Sequence, residues 1–351
     1  MSRFFIVGQW EEFGDEFGAR TFGLNFPKIA HPTSLSDWPI AQTRGNVEVV
    51  FANPPCACWS LTGKRLNAAD PRAIYTSRSF DVAMALEPEI FIMESVPQAW
   101  SPKGGREFYQ ELIERATRLG YQVTLLLTNA ILHGAPQSRE RFHFIVHRRE
   151  LNLRTPTFSF EQVPTIRQVI GDLASIAKPL GVDDFYVFPS NHVYVPQKPR
   201  YQNVIDALPE GGNWNKMQEA LAAEGVDAAR HRMITNRPYY DGPSGTLADI
   251  GSVVHPAENR FLTMREGARL CGYPDEFVFA TNARGLARPA DATQAVLPAM
   301  GDYFGRVFNI ALDSGLSQFG EVEVVDWRPI ARQFTGKAYL RSTGIMPQRE
   351  G

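Results

Sequence analysis

Short apolar segments typical of strands alternate with helix-like segments over the first half of the chain, and this alternation constrains the fold most. The predicted strands are Phe4 to Trp10, Val47 to Ala52, Ile90 to Glu94, Val123 to Leu127 and Phe142 to Val146. Helical patterns cover residues 71 to 86, with Pro71 early and Pro88 just beyond the end, and the segment from Gly104-Gly105 to Gly120. Strands that alternate with helices predict an α/β fold, in which helices cover a parallel sheet.

The composition of the sequence changes at about residue 150, where prolines and aromatic residues become frequent and strands and helices no longer alternate regularly. We therefore predict four parts, which are the N-terminal part of the α/β domain in residues 1–149, a smaller irregular domain in 150–258, a return to the α/β domain in 259–315 and a tail in 316–351. Helical patterns return at 263–271 and 299–312, and the spacing of Thr263 and Glu266 predicts a capping box. The tail holds one strand-like segment, Glu321 to Val325, and then polar sequence.

The composition argues against several classes of protein. No segment of the 351-residue chain approaches the roughly 18 continuous apolar residues of a membrane helix, and the N-terminus lacks the apolar core of a secretory signal. Three cysteines indicate a reducing compartment, and Cys56 and Cys58 are too isolated for a zinc site. The net charge of −2 neither favours nor excludes nucleic acid, because binding depends on a local basic face.

A cysteine follows the predicted strand Val47 to Ala52 behind two prolines, in the run Pro54-Pro55-Cys56. Ligands gather at the carboxyl ends of the strands in an open parallel sheet, so a thiol held there by two rigid prolines is placed like a nucleophile. A buried structural cysteine fits the same pattern. The motif alone does not decide between the two.

Charged residues stand at the ends of other predicted strands. Glu94 ends one strand, where a carboxyl group can act as an acid or hydrogen-bond a ring nitrogen. Arg139 and Arg141 lie on one side of an extended segment, because side chains alternate, and two guanidinium groups on one face suit phosphate or a base carbonyl. Taken singly, a surface carboxylate and a solvated strand edge explain these residues as well.

Six short motifs in one order make the chain resemble the DNA cytosine carbon-5 methyltransferases. The family pattern runs from a Pro-Cys loop through Asp-Pro-Arg, Glu-Asn-Val, Gly-Val-Pro-Gln-x-Arg-x-Arg and Arg-x-Leu-Thr-x-Arg-Glu to Asn-Ala-Val-Pro. The matching residues here are Pro55-Cys56, Asp70-Pro71-Arg72, Glu94-Ser95-Val96, Gly134 to Arg141, Arg260 to Glu266, and Gln294-Ala295-Val296 with Pro298. Each motif is weak alone, and their common order makes the resemblance specific.

The resemblance implies a Rossmann-like methyltransferase sheet, with a smaller, irregular target-recognition domain in residues 150–258. It implies that the Cys56 thiolate attacks carbon 6 of a cytosine that is flipped out of the duplex. It also implies that Glu94 protonates ring nitrogen 3, and that Arg139 and Arg141 hydrogen-bond the base and the nearby backbone. These four residues are the predicted catalytic residues.

The implied methyl donor is S-adenosylmethionine. By the resemblance, Glu11 binds the ribose hydroxyls of this cofactor and Asp37 faces its adenine amino group. Pro55 and Gln294 are the other two predicted cofactor residues.

The implied partner is double-stranded DNA. Gln137 is expected to support the loop that meets the DNA, and the stretch from Arg230 and Arg232 to Arg237 combines basic and aromatic groups suited to DNA. A solvated loop explains that stretch equally well. The implied location is the cytoplasm of a bacterial or phage-infected cell.

The N-terminus departs from the family pattern, because no Phe-x-Gly-x-Gly cofactor loop is present and Val7 to Glu11 better resembles the family's second strand. Four explanations remain open: a recorded start inside a longer gene product, a second polypeptide that supplies the missing strand and loop, a DNA-binding relative without activity, or another donor. The tail strand Glu321 to Val325 is a candidate for the vacant sheet edge. Ser95 and Gln294 also stand where the family has Asn, and Ala57 where Gln is common.

Overall fold

The computed structural model describes residues 16–28, 41, 44–59, 66–154, 156–173, 178–179, 189–212, 214–225, 227, 236–316 and 322–346. The predicted strand Phe4 to Trp10 lies outside these residues. The strands in chain order are β1 (Val49–Ala52), β2 (Ile90–Ser95), β3 (Gln122–Asn129), β4 (Glu140–His147), β5 (Lys178–Pro179), β6 (Val193–Tyr194) and β7 (Val322–Asp326). Each of the four predicted strands that falls on the described residues is present, within three residues of its predicted ends.

Helices and short 3-10 turns connect and cover the strands. The α-helices in chain order are α1 (Glu16–Asn25), α2 (Ala73–Leu86), α3 (Arg106–Arg118), α4 (Ile166–Ile170), α5 (Pro199–Ala207), α6 (Trp214–Ala223), α7 (Met264–Leu270), α8 (Ala290–Thr293), α9 (Pro298–Ala311), α10 (Arg328–Ala331) and α11 (Gly336–Ser342). The predicted helices at 71–86, after Gly105, at 263–271 and at 299–312 correspond to α2, α3, α7 and α9. Gly120 follows α3 with φ of +80°, which suits glycine and ends the helix.

Five strands form the central sheet, in the order β1-β2-β4-β3-β7. β1 pairs with β2 and β3 pairs with β7 in parallel, whereas β4 is antiparallel to both of its neighbours. The fold is therefore α/β with a mostly parallel sheet. The antiparallel β4 has a physical cause: the connection from Asn129 to Glu140 holds only one 3-10 turn (Ala130–His133), whereas a parallel crossover needs about a dozen or more residues.

The sheet buries different side chains on its two faces. On one face, Phe91 and Phe144 pack with Phe80 of α2 and Tyr109 of α3. On the other face, alternate strand residues join a larger cluster with α7, α9 and much of residues 163–173 and 240–254. The alternation along β2 and β4 thus fixes which side chains are available to a site at the end of the strands.

Residues 150–258 divide between two cores. α5 and α6 form a small cluster with Val254 and Phe261, and this cluster is separate from the cores on the sheet. The segments around α4 and Tyr240 instead join the larger cluster on the sheet. The described part of this region is therefore anchored to the catalytic sheet along one side.

Two predictions about the tail, the sheet edge that its strand fills and the polar character of the residues after it, are wrong. The predicted strand is present as β7, but it pairs with β3 at the opposite end of the sheet from β1. It therefore does not fill the edge beside β1. The residues after it are not a polar extension either, because Trp327, Phe334 and Leu340 are buried around α10 and α11. The tail looks polar in sequence since its apolar residues are few and widely spaced.

The capping box at the start of α7 is present as predicted. The Glu266 backbone N–H donates to Thr263 Oγ1 at 3.1 Å, and the Thr263 N–H donates to Glu266 Oε2 at 2.8 Å. His192 Nδ1 lies 2.8 Å from the same Thr263 hydroxyl. Thr263 therefore joins the helix start to a segment before α5.

Replacement of Thr263 by alanine is expected to lower the free energy of unfolding by about 1 to 3 kcal/mol, because the helix loses its cap and His192 loses a buried partner. Urea unfolding followed by circular dichroism measures this change. Thr263→Ser keeps the hydroxyl and is the matched control, with an expected loss of less than about 1 kcal/mol. Equal losses in the two variants would show that the hydroxyl does not cap the helix.

Candidate active site

The Pro-Cys loop begins where β1 ends and is held by packing on α3. Cys56 opens the 3-10 turn Cys56–Cys58, and the Trp59 N–H donates to the Cys56 carbonyl at 3.0 Å. Trp59 is buried, with its ring centroid 5.2 Å from that of Phe108. A Cβ placed on Gly105 would lie 2.8 Å from the Trp59 ring, so only glycine fits there. The thiol of Cys56 is thus placed on a braced loop and stays partly exposed.

A buried ion pair lies beside this thiol. Glu94 is the fifth residue of β2, and its register partner on β4 is His143, so Arg141 is its diagonal neighbour on the same face. Arg141 Nε lies 2.5 Å from Glu94 Oε1, and the side chains are 12% and 4% exposed. Arg141 Nη1 also donates to the Glu140 carbonyl at 2.7 Å. The sequence predicted both residues, and the structure brings them together.

Burial and charge shift the protonation of the site in a definite direction. Burial raises the pKa of the Glu94 carboxyl, and the charges of Arg141 and Arg139 only partly oppose this. Burial also raises the pKa of the Cys56 thiol; the charge of Glu94 raises it further, and Arg141 and Arg139 lower it. The charges of Glu94, Arg139 and Arg141 therefore all act on the Cys56 thiol.

Arg139 is held inside the protein rather than presented on its surface. Its guanidinium donates to the Thr293 carbonyl at 2.5 Å and to the Ala295 carbonyl at 3.4 Å. Its backbone N–H donates to Asn129 Oδ1 at 2.9 Å. Burial lowers the pKa of Arg139 to about 10. Arg139 thus ties the start of β4 to the segment after α8, beside the Pro-Cys loop.

Gln137 is fully buried. Its side-chain amide lies 3.4 Å from the Leu270 carbonyl and from Cys271 Sγ, while its Oε1 accepts from the Leu247 N–H at 3.4 Å. This arrangement supports the loop that leads to Arg139. All polar groups of the Gln137 side chain face the interior, so its predicted part in DNA binding stays limited to the loop that it supports.

The predicted cofactor residues fall partly on described residues. Asn53 Nδ2 donates to the Gln294 carbonyl at 3.1 Å, which joins the Pro-Cys loop to the end of α8. Pro55 is partly exposed and Gln294 is exposed, so a polar, open surface adjoins Cys56 on this side. Glu11 and Asp37 lie outside the described residues.

The structure describes one of the three arginines that were predicted to contact DNA. Arg230 and Arg232 lie outside the described residues. Arg237 is buried, and its guanidinium donates to the Ile205 carbonyl at 2.6 Å and to Asn259 Oδ1 at 2.8 Å. The expectation that Arg237 faces DNA is therefore corrected: it ties α5 to the loop before α7, because its long side chain satisfies backbone carbonyls there.

Two contributors to the site were not predicted from the sequence. Asn129 Oδ1 accepts from the Ile131 and Arg139 N–H groups, and its amide donates to Ser138 Oγ at 3.1 Å. Thr246 Oγ1 donates to the Ser138 carbonyl at 2.8 Å. Asn129 orders the loop before Arg139 from its other end, and Thr246 does so from 108 residues away. No local pattern in the sequence marks either residue.

Among the described residues, no group of histidine, cysteine, aspartate or glutamate side chains is arranged to hold a metal ion. No helix in that part of the chain is long and apolar enough to cross a membrane.

Comparison with known proteins gives consistent matches. Residues 7–300 match the family model for C-5 cytosine-specific DNA methylases. The chain is 29% identical over 289 residues to the type II methyltransferase M1.HphI of Haemophilus parahaemolyticus, which covers 80% of this chain and 74% of that relative. It is 30% identical over 237 residues to M.MthTI of Methanothermobacter thermautotrophicus, covering 65% of this chain and 68% of that relative.

Similarity in structure supports the same fold. A prophage-encoded DNA modification methyltransferase from E. coli has a TM-score of 0.62 and 18% identity, over 89% of this chain and 94% of that one. The Entamoeba histolytica methyltransferase EhMeth has a TM-score of 0.54 and 15% identity, over 88% and 89% of the two chains.

The charge balance around Cys56 predicts how its reactivity changes with pH. Replacement of Glu94 by glutamine removes the negative charge that raises the pKa of the thiol and leaves the two arginines that lower it. The midpoint of the pH profile for iodoacetamide alkylation at position 56 is therefore expected to move to lower pH. Mass spectrometry of the modified peptide measures this rate.

Cys58 and Cys271 serve as internal references in the same digest, because both thiols are buried with pKa values of about 11. The replacement Glu114→Gln, in a residue exposed on α3, is a control that removes a carboxylate away from Cys56. A midpoint that stays in place or rises in Glu94→Gln would mean that Glu94 does not act on Cys56 through its charge.

Proposed function

The chain belongs to the C-5 cytosine-specific DNA methylase family, and on that premise we propose that it methylates carbon 5 of a cytosine in double-stranded DNA, with Cys56 as nucleophile. The observation that carries the proposal is the buried Glu94–Arg141 pair beside the partly exposed Cys56 thiol. A non-catalytic DNA-binding protein has no need of a nucleophile next to a buried acid. The pair gives this site the two polar groups that recognise one edge of a pyrimidine.

The first step is addition of the Cys56 thiolate to carbon 6 of the base. A sulfur–carbon 6 bond forms, the π electrons of the carbon 5–carbon 6 double bond shift to a carbon 4–carbon 5 double bond, and those of the carbon 4–nitrogen 3 double bond move onto nitrogen 3. The Glu94 carboxyl transfers its proton to ring nitrogen 3, so that negative charge does not accumulate on the base. The raised pKa of Glu94 supports this role, because a buried carboxyl holds a proton at higher pH than an exposed one.

The base must leave the duplex to reach the thiol, since carbon 6 is not accessible within the stack. In the proposal, Arg141 donates to the base carbonyl and Glu94 engages the ring nitrogen beside it. The contact between Arg141 Nε and Glu94 Oε1 gives both groups a hydrogen-bond partner before the base arrives. Arg139 contributes by holding the start of β4 against the Thr293 carbonyl.

Cofactor binding is proposed at the surface beside the Pro-Cys loop. Pro55 and Gln294 would hold S-adenosylmethionine there, with Glu11 and Asp37 as the expected partners of its ribose and adenine. When bound, this cofactor supplies an electrophilic methyl group for carbon 5. The Asn53 bond to the Gln294 carbonyl fixes the two sides of the surface relative to each other.

Release of the product returns the protein to its starting state. Carbon 5 loses its proton to solvent water, the electron pair of that carbon–hydrogen bond re-forms the double bond to carbon 6, and the bond to Cys56 sulfur breaks with its electron pair on sulfur. The thiolate leaves, and nitrogen 3 gives its proton back to Glu94.

Arg230 and Arg232 remain proposed contacts to the DNA backbone, where Lys and Arg side chains supply most of the sequence-independent affinity.

Replacement of Cys56 by serine is expected to lower methyl transfer below detection, because a serine hydroxyl is a far weaker nucleophile than a thiolate at neutral pH. Transfer of labelled methyl from S-adenosylmethionine to unmethylated genomic DNA measures the activity. Cys58→Ser is the matched control and is expected to keep most of the activity, since the Cys58 thiol is buried and donates to the Pro55 carbonyl at 3.4 Å.

Calorimetric titration with S-adenosylmethionine separates the alternatives. Cofactor binding together with methyl transfer by the wild-type chain supports the proposal. DNA binding without either result would contradict it for this chain alone and would support a DNA-binding relative. Activity that appears only with a second polypeptide would support a divided enzyme.

A further inference from the structure

The C-terminal segment 322–346, here named the C-terminal brace, is packed into the protein although it lies beyond residue 300, where the match to the family model ends. Its large buried side chains are Trp327, Phe334, Tyr339 and Leu340, each less than one tenth exposed. Large apolar side chains that are buried this fully stabilise the surfaces on which they pack. The brace therefore stabilises the parts of the protein that its two ends contact.

One end of the brace packs at the start of the loop between β3 and β4, residues 130–139, here named the catalytic loop. The Trp327 N–H donates to the Leu127 carbonyl at 2.8 Å, which continues the pairing of β7 with β3. The Trp327 ring lies 6.0 Å from the ring of His133 and 6.2 Å from that of Tyr303. His133 ends the 3-10 turn that leads into Gly134 to Arg139. This contact fixes where the catalytic loop leaves β3.

The other end packs on the region between residues 156 and 246. Phe334 lies between Phe158 and Phe160, with ring centroids 5.1 and 5.0 Å away. Leu340 contacts Gly242 so closely that a Cβ on this glycine would lie 2.8 Å from Leu340 Cδ2. Aromatic contacts of this kind are specific in geometry and add to the burial of area. The brace thus packs closely against the segment around Gly242.

The segment held by the brace is hydrogen-bonded to the catalytic loop. The Ser138 N–H donates to the Ser244 carbonyl at 2.8 Å, and Thr246 Oγ1 donates to the Ser138 carbonyl at 2.8 Å. The Leu247 N–H donates to Gln137 Oε1 at 3.4 Å. Ser138 directly precedes Arg139. A continuous set of contacts therefore runs from Leu340 through residues 242–247 to Arg139.

We propose that the C-terminal brace is a positioning element, which holds residues 242–247 against the catalytic loop and so fixes Arg139 and Arg141 relative to the described part of residues 150–258. Leu340 supports Gly242 directly, and Phe334 anchors the brace on Phe158 and Phe160. The effect of the brace on catalysis rests on the proposed function, whereas its effect on the order of the catalytic loop does not. Loss of the Phe334 ring removes the packing of the brace on Phe158 and Phe160 and so weakens the support that Leu340 gives to Gly242. Small displacements at a site of this kind are costly to catalysis.

The coupling is tested by amide hydrogen exchange in the free full-length protein. Phe334→Leu keeps an apolar side chain and is expected to speed exchange at the Ser138 and Leu247 amides by about 2- to 30-fold. Phe80→Leu, which removes a fully buried ring from the other face of the sheet, is the matched control and is expected to leave these amides unchanged. Unchanged exchange in Phe334→Leu, or an equal increase in both variants, would overturn the proposal.

The catalytic consequence is read from the kinetics of the same two variants and of Leu340→Ala. In Phe334→Leu and Leu340→Ala, the KM for DNA is expected to rise by about 2- to 30-fold while the dissociation constant for S-adenosylmethionine stays the same. Faster exchange with an unchanged KM and kcat would overturn the link to catalysis. If the wild-type chain transfers no methyl, the proposed function fails, and the exchange experiment still decides whether the brace couples the two regions.

Discussion

The ion pair between Glu94 and Arg141 depends on the antiparallel register of β2 and β4, and the rest of the site is arranged around that register. Side chains alternate along a strand, so a slip of one residue would turn Arg141 to the opposite face and leave Glu94 without its partner. An unpartnered buried charge costs about 3 to 5 kcal/mol. Phe142 and Phe144 oppose such a slip, because both are fully buried in the core on the other face.

The two loops beside this pair are each held by contacts from other parts of the chain. The Pro-Cys loop is pinned by Trp59 on the start of α3, and the loop before β4 is ordered by Asn129 and by residues 242–247. Both loops end at the same edge of the sheet as Glu94. A thiol, an acid and a guanidinium group from three separate segments therefore meet with little freedom to move, as covalent catalysis on a small ring requires.

The sequence was informative where the signal is local. The helices and strands of the catalytic domain follow periodic patterns that end at proline or glycine, and the capping box of Thr263 and Glu266 depends on two residues three apart. Cys56 and Glu94 were found because they lie at or shortly after the end of a strand, and Arg141 because it lies with Arg139 on one side of an extended segment; the ordered motifs gave them roles. All of these features are set within a few residues.

The sequence did not predict features that depend on distant contacts. Arg237 looks like a DNA-binding residue by type, but backbone carbonyls and Asn259 on other elements take up its guanidinium. The direction of β4 follows from the short connection before it, and the place of β7 follows from which sheet edge is open to it. The packing of Phe334 between Phe158 and Phe160 joins residues far apart in sequence, which no pattern within the tail reveals.

The central claim is that Cys56 attacks carbon 6 of a cytosine, and trapping on DNA that contains 5-fluorocytosine tests it most directly. Fluorine at carbon 5 cannot leave as a proton does, so the sulfur–carbon bond persists once methyl transfer has occurred. The account predicts a covalent protein–DNA complex in the presence of S-adenosylmethionine, with the adduct on the peptide that contains Cys56. A complex that forms equally in Cys56→Ser, an adduct at another residue, or no complex from the wild-type chain would contradict it.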